Sequence, residues 1–374
     1  MSDPSTRELD VILMGIGSLG SLVIDCLKTG YPLIHVVGAI DNAPDMMGKK
    51  LAELYPDYRE AGDVVVTPDL ATCLVGLSAR PDILIHMTES VLEHIEGQMT
   101  QALDAGINVL SASEAMFHPA LRHSGVAARL DAAARHNRVS ISGTGINPGF
   151  SFDSLPLMLA RATSGVTKIN ITRTIDVTGT GPGDIDHVGD ALRPDEFRAK
   201  IASGRIHGHI GMPESIAAIA ERLNMTIDRV EESWETETAD FPVDSGTPAL
   251  GMIEPGRVIG IIQKGAGYDG ETLRITMRLV MYYQPERFGL EAADTVEIVG
   301  AHHVRASLRP AALSLFGAAN VIVNALHDVV NAPPGLVNTL DFSIGGARRG
   351  GFRYTADFSG LQRAGLVRLN KVPG

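Results

Sequence analysis

Residues 10–20 read Asp-Val-Ile-Leu-Met-Gly-Ile-Gly-Ser-Leu-Gly, and this stretch decides the fold of the first half of the chain. Its apolar run Val-Ile-Leu-Met is typical of a buried parallel strand. Gly15, Gly17 and Gly20 then form the pattern G-x-G-x-x-G. In that pattern the first glycine permits a tight turn, the second lets a pyrophosphate approach the backbone, and the third lets a helix pack closely on the sheet. The sequence therefore predicts a strand, a phosphate-binding turn and a helix in succession.

The residues that follow extend this pattern to a complete dinucleotide-binding unit. Apolar side chains recur at helical spacing, so the free N–H groups of the first helical turn, which holds Ser18 and Leu19, are expected to face bound phosphates. A second apolar run ends at Asp41, about 20 residues after the last glycine, where an acid binds the ribose hydroxyls. Asp41 would repel a 2′-phosphate, which favours NAD, whereas Lys49 and Lys50 leave NADP open.

Composition is typical of a globular protein and excludes several partners. The chain has 374 residues, enough for two domains, and 44% of them are hydrophobic. Lysine and arginine number 32 against 44 acidic residues, a net charge of −12, and no dense basic run is present, which argues against nucleic acid. The N-terminus lacks a secretory pattern, and there are only two cysteines, so we predict a cytoplasmic protein. Because no uninterrupted apolar stretch reaches about 18 residues, we expect no membrane span.

The order of predicted elements indicates an α/β protein with two domains. Strands alternate with helices over 1–147, which predicts a Rossmann domain with a doubly wound parallel sheet. From 148 to 307 longer strands predict an α+β domain with an open, mostly antiparallel sheet. An apolar helix within 308–342 is expected to return to the first domain, and 343–374 form a tail. Because the open sheet has one face to cover, we expect a homodimer.

The candidate catalytic and binding residues lie at the carboxyl ends of the parallel strands, where ligands bind in such sheets. Glu114 lies just past a predicted strand, after Ser111-Ala112-Ser113, and a carboxylate there can hold an ammonium group or take a proton from an amine. An acid is also favoured at a helix start. Thr88 is placed to contact the nicotinamide ribose, whereas Ser90, with Glu93 three residues on, predicts a capping box. Asn147 can bind the nicotinamide carboxamide or simply form a turn.

Three more residues are candidates for the wall of a substrate pocket. Phe150 and Phe152 follow the last strand of the first domain, and aromatic residues at such positions are more commonly part of the core. Arg173, on a later strand, can anchor a polar group or pair with an acid. We expect no metal, because the histidine patterns imply no third ligand at a suitable spacing; these patterns are His207-x-His209, His302-His303 and Asp184-x-Asp186-His187.

Several segments resemble known dehydrogenases. The first half is similar to the cofactor domain of dihydrodipicolinate reductase, on Gly38-Ala39-Ile40-Asp41 and Gly48-Lys49. The second half lacks the substrate motif of that reductase. It resembles instead the 2,4-diaminopentanoate dehydrogenases and the related native amine dehydrogenases, over about residues 8–342. The segments that carry this resemblance are Gly143-Thr144-Gly145-Ile146-Asn147-Pro148-Gly149-Phe150, Gly208-His209-Ile210-Gly211-Met212-Pro213-Glu214-Ser215 and Gly260-Ile261-Ile262-Gln263.

The resemblance implies NAD(P)-dependent oxidative deamination of an amine or diamine, and in reverse the reductive amination of a ketone or aldehyde with ammonia. It implies Glu114 as the catalytic acid, Asn147 as a contact of the nicotinamide, and Phe152 and Arg173 as parts of the pocket wall. Arg173 is then the candidate anchor for a substrate carboxylate. Two alternatives stay open: a reductase of the dihydrodipicolinate type that does not use ammonia, and a non-catalytic sensor of the cofactor.

Overall fold

The computed structural model describes residues 7–58, 62–179, 189, 191–206 and 208–342. Strands and helices are numbered here along the chain. The strands are β1 Leu9–Met14, β2 Ile34–Ile40, β3 Val66–Thr67, β4 Ile83–His86, β5 Asn108–Ser111, β6 Ser140–Gly143, β7 Lys168–Asp176, β8 Arg229–Thr238, β9 Val243–Asp244, β10 Met252–Ile253, β11 Val258–Asp269, β12 Thr272–Tyr282, β13 Ala293–Val299, β14 Val304–Leu308 and β15 Gly335–Leu336.

The helices are α1 Ser18–Gly30, α2 Leu51–Leu54, α3 Leu70–Val75, α4 Leu92–Asp104, α5 Ser124–His136, α6 Ser154–Ala160, α7 Pro194–Ala202, α8 Met212–Leu223 and α9 Ser314–Val330. Short 3-10 turns cover Glu114–Phe117, Pro119–Leu121, Pro285–Phe288 and Thr339–Asp341. No helix among the described residues is long and apolar enough to cross a bilayer.

The first sheet is parallel throughout, in the order β15-β6-β5-β4-β1-β2-β3. The chain moves from β1 outwards to β3 and then returns to the other side of β1 with β4. Ligands of open α/β sheets bind at such a reversal, beyond the carboxyl ends of the strands. The predicted Rossmann-type doubly wound sheet is confirmed.

Both faces of this sheet are covered, which explains the uninterrupted apolar run of β1. Leu9, Val11 and Leu13 face a core shared with α1 and α9. Ile12 and Met14 point the other way, into a core shared with α4 and α5. Alternate residues of a strand point to opposite faces, so a strand buried on both sides needs apolar residues at every position.

The second sheet has the order β14-β13-β7-β12-β11-β8, and all its pairs are antiparallel except β7 with β12. This confirms an α+β arrangement with a mostly antiparallel sheet. After it, α9 packs against α1, and β15 joins the edge of the first sheet beside β6. The exact domain boundaries and the homodimer stay predictions, and the tail over 343–374 lies outside the described residues.

Candidate functional site

A cavity of about 760 Å³ opens beyond the carboxyl ends of β1, β2, β4 and β5. Its walls come from the glycine turn, the end of β2, the segment after β3, the loops after β4 and β5, two glutamines of α4, and Leu315 in the first turn of α9. The structure brings together there seven of the residues predicted from the sequence, namely Gly15, Gly17, Ser18, Leu19, Asp41, Thr88 and Glu114.

The three glycines of the turn meet three different requirements. Gly15 has φ +86°, and a Cβ there would lie 2.5 Å from the Met87 carbonyl oxygen. A Cβ on Gly20 would lie 2.4 Å from the Gly15 carbonyl oxygen, so α1 could not pack so closely on the turn. A Cβ on Gly17 would meet no atom within 4 Å, and no side chain caps α1 there. The start of α1 therefore borders the open cavity, as a phosphate-binding helix start requires.

Asp41 lies at the end of β2 and is hydrogen-bonded to the glycine turn. Its Oδ2 accepts a hydrogen bond from the Ile16 N–H at 2.8 Å, and its Oδ1 accepts one from the Ala43 N–H at 2.9 Å. An ionised carboxylate offers about four lone-pair sites, so both oxygens keep capacity for two ribose hydroxyls. The two lysines after Asp41 do not line the cavity, and Lys50 pairs with Asp63 at 2.6 Å.

The cavity wall is acidic. Among the described residues that line it, no lysine or arginine occurs, whereas four carboxylates do: Asp41, Asp69, Glu89 and Glu114. Asp69 caps α3 by accepting the Thr72 N–H at 2.7 Å, and this bond lowers the pKa of its carboxyl. Glu89 pairs with His94 at 3.1 Å. Side chains of this charge attract a cationic group, so a phosphate in this cavity would have to bind at backbone N–H groups instead.

Glu114 begins the 3-10 turn after β5, in the cavity wall. The Ser90 hydroxyl donates a hydrogen bond to its Oε2, and the Ser113 hydroxyl donates to the Ser90 carbonyl oxygen at 3.3 Å. The capping box expected at Ser90 is wrong: α4 begins at Leu92, and no side chain caps it. The Ser90 hydroxyl instead joins the loop after β4 to the carboxylate after β5, which restrains the orientation of that carboxylate.

His86, at the end of β4, is fully buried beneath the cavity wall, and no motif in the sequence assigns it a role. Its Nδ1 lies 3.0 Å from the Ser111 Oγ, and its Nε2 lies 2.8 Å from the Gln98 Oε1 and 2.9 Å from the Thr88 Oγ1. Burial lowers the pKa of His86, which keeps the ring neutral. The signal in the sequence was a histidine that ends an apolar strand, Asp-Ile-Leu-Ile-His-Met.

Asn147 lies outside the cavity lining, at the contact of the two domains. Its Nδ2 donates to the His209 Nε2 at 2.8 Å. The His209 N–H donates to the Gln263 Oε1 at 2.7 Å, and the Gln263 Nε2 returns a bond to the His209 carbonyl oxygen at 2.8 Å. These bonds join parts of the three segments that carry the family resemblance.

The residues predicted for the pocket wall are not part of the cavity lining. Phe150 is half-buried, and Phe152 packs in the core of the second domain. Arg173 is fully buried: its Nη1 pairs with Asp294 at 2.7 Å, and its Nη2 donates to the Ala312 carbonyl oxygen at 2.7 Å. Of the two alternatives for Arg173, the structure shows the pairing with an acid, so the guanidinium already has an internal carboxylate partner.

The segment after Glu114 is joined to the second domain by an ion pair of Arg122 and by a contact of His118 within hydrogen-bond distance. Arg122 donates from Nε and Nη2 to the two carboxylate oxygens of Glu214, at 2.7 and 2.8 Å, and Glu214 is buried. His118 lies 3.0 Å from Glu221 on the same helix, α8. Bidentate pairs of this kind fix orientation as well as distance. The loop that carries Glu114 therefore has a defined position relative to α8.

The described residues hold no group of three or more histidines, cysteines or acids that could bind a metal. His209 is engaged by Asn147 and by the Ile210 carbonyl oxygen at 2.8 Å, and His302 and His303 are exposed. The remaining members of the histidine patterns lie outside the described residues, namely Asp184, Asp186, His187 and His207.

A family profile, described as the 2,4-diaminopentanoate dehydrogenase C-terminal domain, matches residues 150–357, more than half of the chain. The chain belongs to the 2,4-diaminopentanoate dehydrogenase family. The 2,4-diaminopentanoate dehydrogenase of Acetoanaerobium sticklandii is 29% identical over 351 residues, which are 93% of this chain and 97% of that protein. An amine dehydrogenase of Streptomyces virginiae is 22% identical over 358 residues, 90% of this chain and 96% of that protein.

Solved structures show the same fold. The structure of an amine dehydrogenase from Mycobacterium smegmatis matches this member of the 2,4-diaminopentanoate dehydrogenase family with a TM-score of 0.76 and 22% identity, over 93% of this chain and 100% of that one. A scyllo-inositol dehydrogenase from Lactobacillus casei, solved with NAD(H) and scyllo-inositol, matches with a TM-score of 0.53 and 14% identity, over 89% of this chain and 93% of that one.

Proposed function

We propose that this protein is an NAD-dependent amine dehydrogenase. It would deaminate an amine oxidatively to a ketone or aldehyde and ammonia, and catalyse the reductive amination in reverse. One observation carries the proposal: Glu114 lies in the wall of the same cavity as the uncapped start of α1 and Asp41. The names of the relatives, which are dehydrogenases of amines, support the same chemistry.

The residues present fit a dinucleotide. The open space beside Gly17 and the free N–H groups of α1 are suited to the pyrophosphate, and Asp41 to the adenosine ribose. Thr88 remains the candidate contact of the nicotinamide ribose, and Asn147 that of the carboxamide. We favour NAD over NADP, because the described cavity wall places Asp41, and no arginine or lysine, where a 2′-phosphate would need a cation.

The chemistry assigned to this chain's own residues is proton transfer at Glu114. When bound, NAD would supply the acceptor for the hydride on the carbon that bears the amine. Glu114 takes the proton of the substrate ammonium group, which leaves the nitrogen lone pair free to form the C=N bond. Glu114 must then release this proton to solvent before it acts again. As a base it takes a proton from the water that adds to the imine carbon, and as an acid it returns that proton to the nitrogen, so that ammonia leaves as the hydroxyl loses its proton and the C=O bond forms. A positioned acid or base of this kind typically contributes about 10²- to 10⁴-fold to the rate.

The charge of the wall favours amines as substrates. The ammonium form of an amine is attracted by Glu114, whereas an anionic substrate meets no cation among the described lining residues. Since Arg173 is paired with Asp294, it is not available to a substrate carboxylate. We therefore propose an amine or diamine as substrate. The homodimer and the cytoplasmic location stay predictions from the sequence.

The test is the variant Glu114→Gln, which keeps the size of the side chain and removes its basicity. We expect NADH to bind with unchanged affinity, and the amine-dependent reduction of NAD to fall by at least about 100-fold. Glu89→Gln is the matched control, because Glu89 lines the same cavity and pairs with His94; its turnover should fall much less. Retained turnover in Glu114→Gln would contradict the assignment.

The alternatives predict other outcomes of the same assays. A reductase that does not use ammonia would oxidise NADH with a ketone at one rate, whether ammonium is present or not. A sensor of the cofactor would bind NADH tightly and turn over no amine in a panel of monoamines and diamines. Dependence of the ketone reaction on ammonium is the result that supports an amine dehydrogenase.

A further inference from the structure

The feature that the proposed mechanism leaves unused is the hydrogen-bond network of His86. Both ring nitrogens have partners: Ser111 at Nδ1, and Gln98 and Thr88 at Nε2. His86 and Ser111 are fully buried, at the ends of neighbouring strands β4 and β5, whereas Gln98 and Thr88 line the cavity. The network therefore runs from the interior of the sheet to the proposed cofactor site.

The partners define which ring nitrogen carries the proton. The Gln98 Oε1 is a carbonyl oxygen that only accepts, so the His86 Nε2 must be the donor to it. In a neutral ring Nδ1 is then an acceptor, and the Ser111 hydroxyl donates to it. The Ser111 oxygen in turn accepts the Ser113 N–H at 3.1 Å. Every donor of this hydrogen-bond network has an acceptor when the ring is neutral, which is the state that burial favours.

The direction of these bonds determines what Gln98 presents to the cavity. Its Oε1 is held by the His86 Nε2 and also accepts the Thr88 hydroxyl at 3.0 Å. With the oxygen held on this side, the amide NH₂ of Gln98 is the end left for the cavity. Were the amide turned round, the ring proton would have to move to Nδ1, and the Ser111 hydroxyl would lose Nδ1 as the acceptor for its own proton. The phosphates, ribose hydroxyls and carboxamide oxygen of a dinucleotide are all acceptors for such a group.

We propose that His86 is a positioning residue of the cofactor site, which orients the Gln98 amide so that its NH₂ group donates to the bound dinucleotide. This inference rests on the proposed binding of NAD in this cavity. His86 touches neither substrate nor cofactor; it acts through Gln98. A purely structural histidine would also satisfy its buried partners, but it would stabilise the fold without changing the affinity for a dinucleotide.

The test measures NADH binding to the protein by fluorescence titration, together with the thermal unfolding of each variant. His86→Leu and Gln98→Leu are each expected to raise the Kd of NADH about tenfold, the size of one lost hydrogen bond. Because His86 acts only through Gln98, the Kd of NADH in the double variant should be no higher than in the single variant with the higher Kd. His86→Gln, which keeps an N–H donor, should bind NADH more tightly than His86→Leu.

The matched control is His327→Leu. His327 is a second buried histidine, on α9, and it hydrogen-bonds the Arg7 carbonyl oxygen at 2.9 Å, away from the cavity lining. Its replacement should lower the unfolding temperature and leave the Kd of NADH unchanged. If His86→Leu behaves in the same way, or if the effects of His86→Leu and Gln98→Leu simply add, the proposal is wrong.

Gln98→Glu keeps the test decisive if His86→Leu does not fold. A glutamate at position 98 still accepts from the His86 Nε2–H, so the fold is retained, but it has no NH₂ group to donate. We expect a larger loss of NADH affinity than in Gln98→Leu, and wild-type affinity in Gln98→Glu would overturn the proposal. Failure of the wild-type protein to bind NADH would instead contradict the proposed function.

Discussion

Asp41 is the residue on which we expect the choice of dinucleotide to depend. Its carboxylate ends β2, holds the Ile16 and Ala43 N–H groups, and lies in a wall whose described residues include no lysine or arginine. A carboxylate in this position accepts from ribose hydroxyls and repels a 2′-phosphate. The discrimination between NAD and NADP is therefore expected to come mainly from one charge.

The variant Asp41→Asn tests this expectation. It keeps a carbonyl oxygen as hydrogen-bond acceptor and removes the charge. The ratio of kcat/KM for NAD over NADP should fall by about tenfold or more, which corresponds to about 1.4 kcal/mol. Asp69→Asn is the control, since Asp69 lines the same cavity but caps α3. An unchanged ratio in Asp41→Asn would mean that other groups select the cofactor.

Ser90 is the second residue whose replacement should change the activity, because its hydroxyl donates to the proposed catalytic carboxylate. A hydrogen bond to a charged group contributes about 1.5–3 kcal/mol, so Ser90→Ala should lower kcat for amine oxidation by about tenfold or more. The Kd of NADH should not change. Ser113→Ala removes only the neighbouring bond to the Ser90 carbonyl oxygen and serves as control. Equal rates in Ser90→Ala and wild type would exclude an orienting role.

At the scale of elements, the unit β1–turn–α1–β2 was predictable because its signals are local. The glycine spacing and the apolar periodicity all fall within residues 10–41. The role of Ser90 was not predictable, because its local pattern indicates a cap and its actual partner is on another loop. The same holds for His86, whose partners Gln98 and Ser111 are brought to it only by the pairing of β4 with β5 and the packing of α4.

The glycine turn allows stability and binding to be separated. Gly17→Ala places a methyl group in open space at the start of α1, so it should leave the unfolding temperature unchanged but weaken NADH binding, about tenfold or more if one phosphate contact is lost. Gly20→Ala would place its Cβ 2.4 Å from the Gly15 carbonyl oxygen, so it should lower both the unfolding temperature and the affinity for NADH. Gly30→Ala, near the end of the same helix, meets nothing within 4 Å and is the control. Wild-type NADH affinity in Gly17→Ala would contradict phosphate binding at this turn.

At the scale of the whole molecule, Arg173 and Asp294 join distant parts of the chain. Arg173 on β7 pairs with Asp294 on β13, donates to the Ser151 hydroxyl at 3.1 Å, and reaches Ala312 just before α9. Asp294 also accepts the Ala312 N–H at 2.9 Å. The sequence showed an arginine on a strand, but its partner is 121 residues away, so only the folded sheet reveals that the pair is internal.

Removing one member of this pair leaves a buried charge without its counter-ion. Asp294→Asn should therefore lower the free energy of unfolding by about 3–5 kcal/mol, measured by urea denaturation. Glu235→Gln, which breaks the half-exposed pair with Lys264, is the control and should cost about 1 kcal/mol or less. A loss of similar size in both variants would show that burial does not distinguish the two pairs.

The position of α9 has a consequence for the order in which the protein can be made. Ala319, Ile322, Val323 and Leu326 of this helix complete the core beside α1, although they follow the entire second sheet in the sequence. While a ribosome is still synthesising that sheet, the α1 side of the nucleotide-binding half has no such cover, and an apolar surface is left in water. The first half of the polypeptide can reach its final packing only after nearly all of the described chain has emerged.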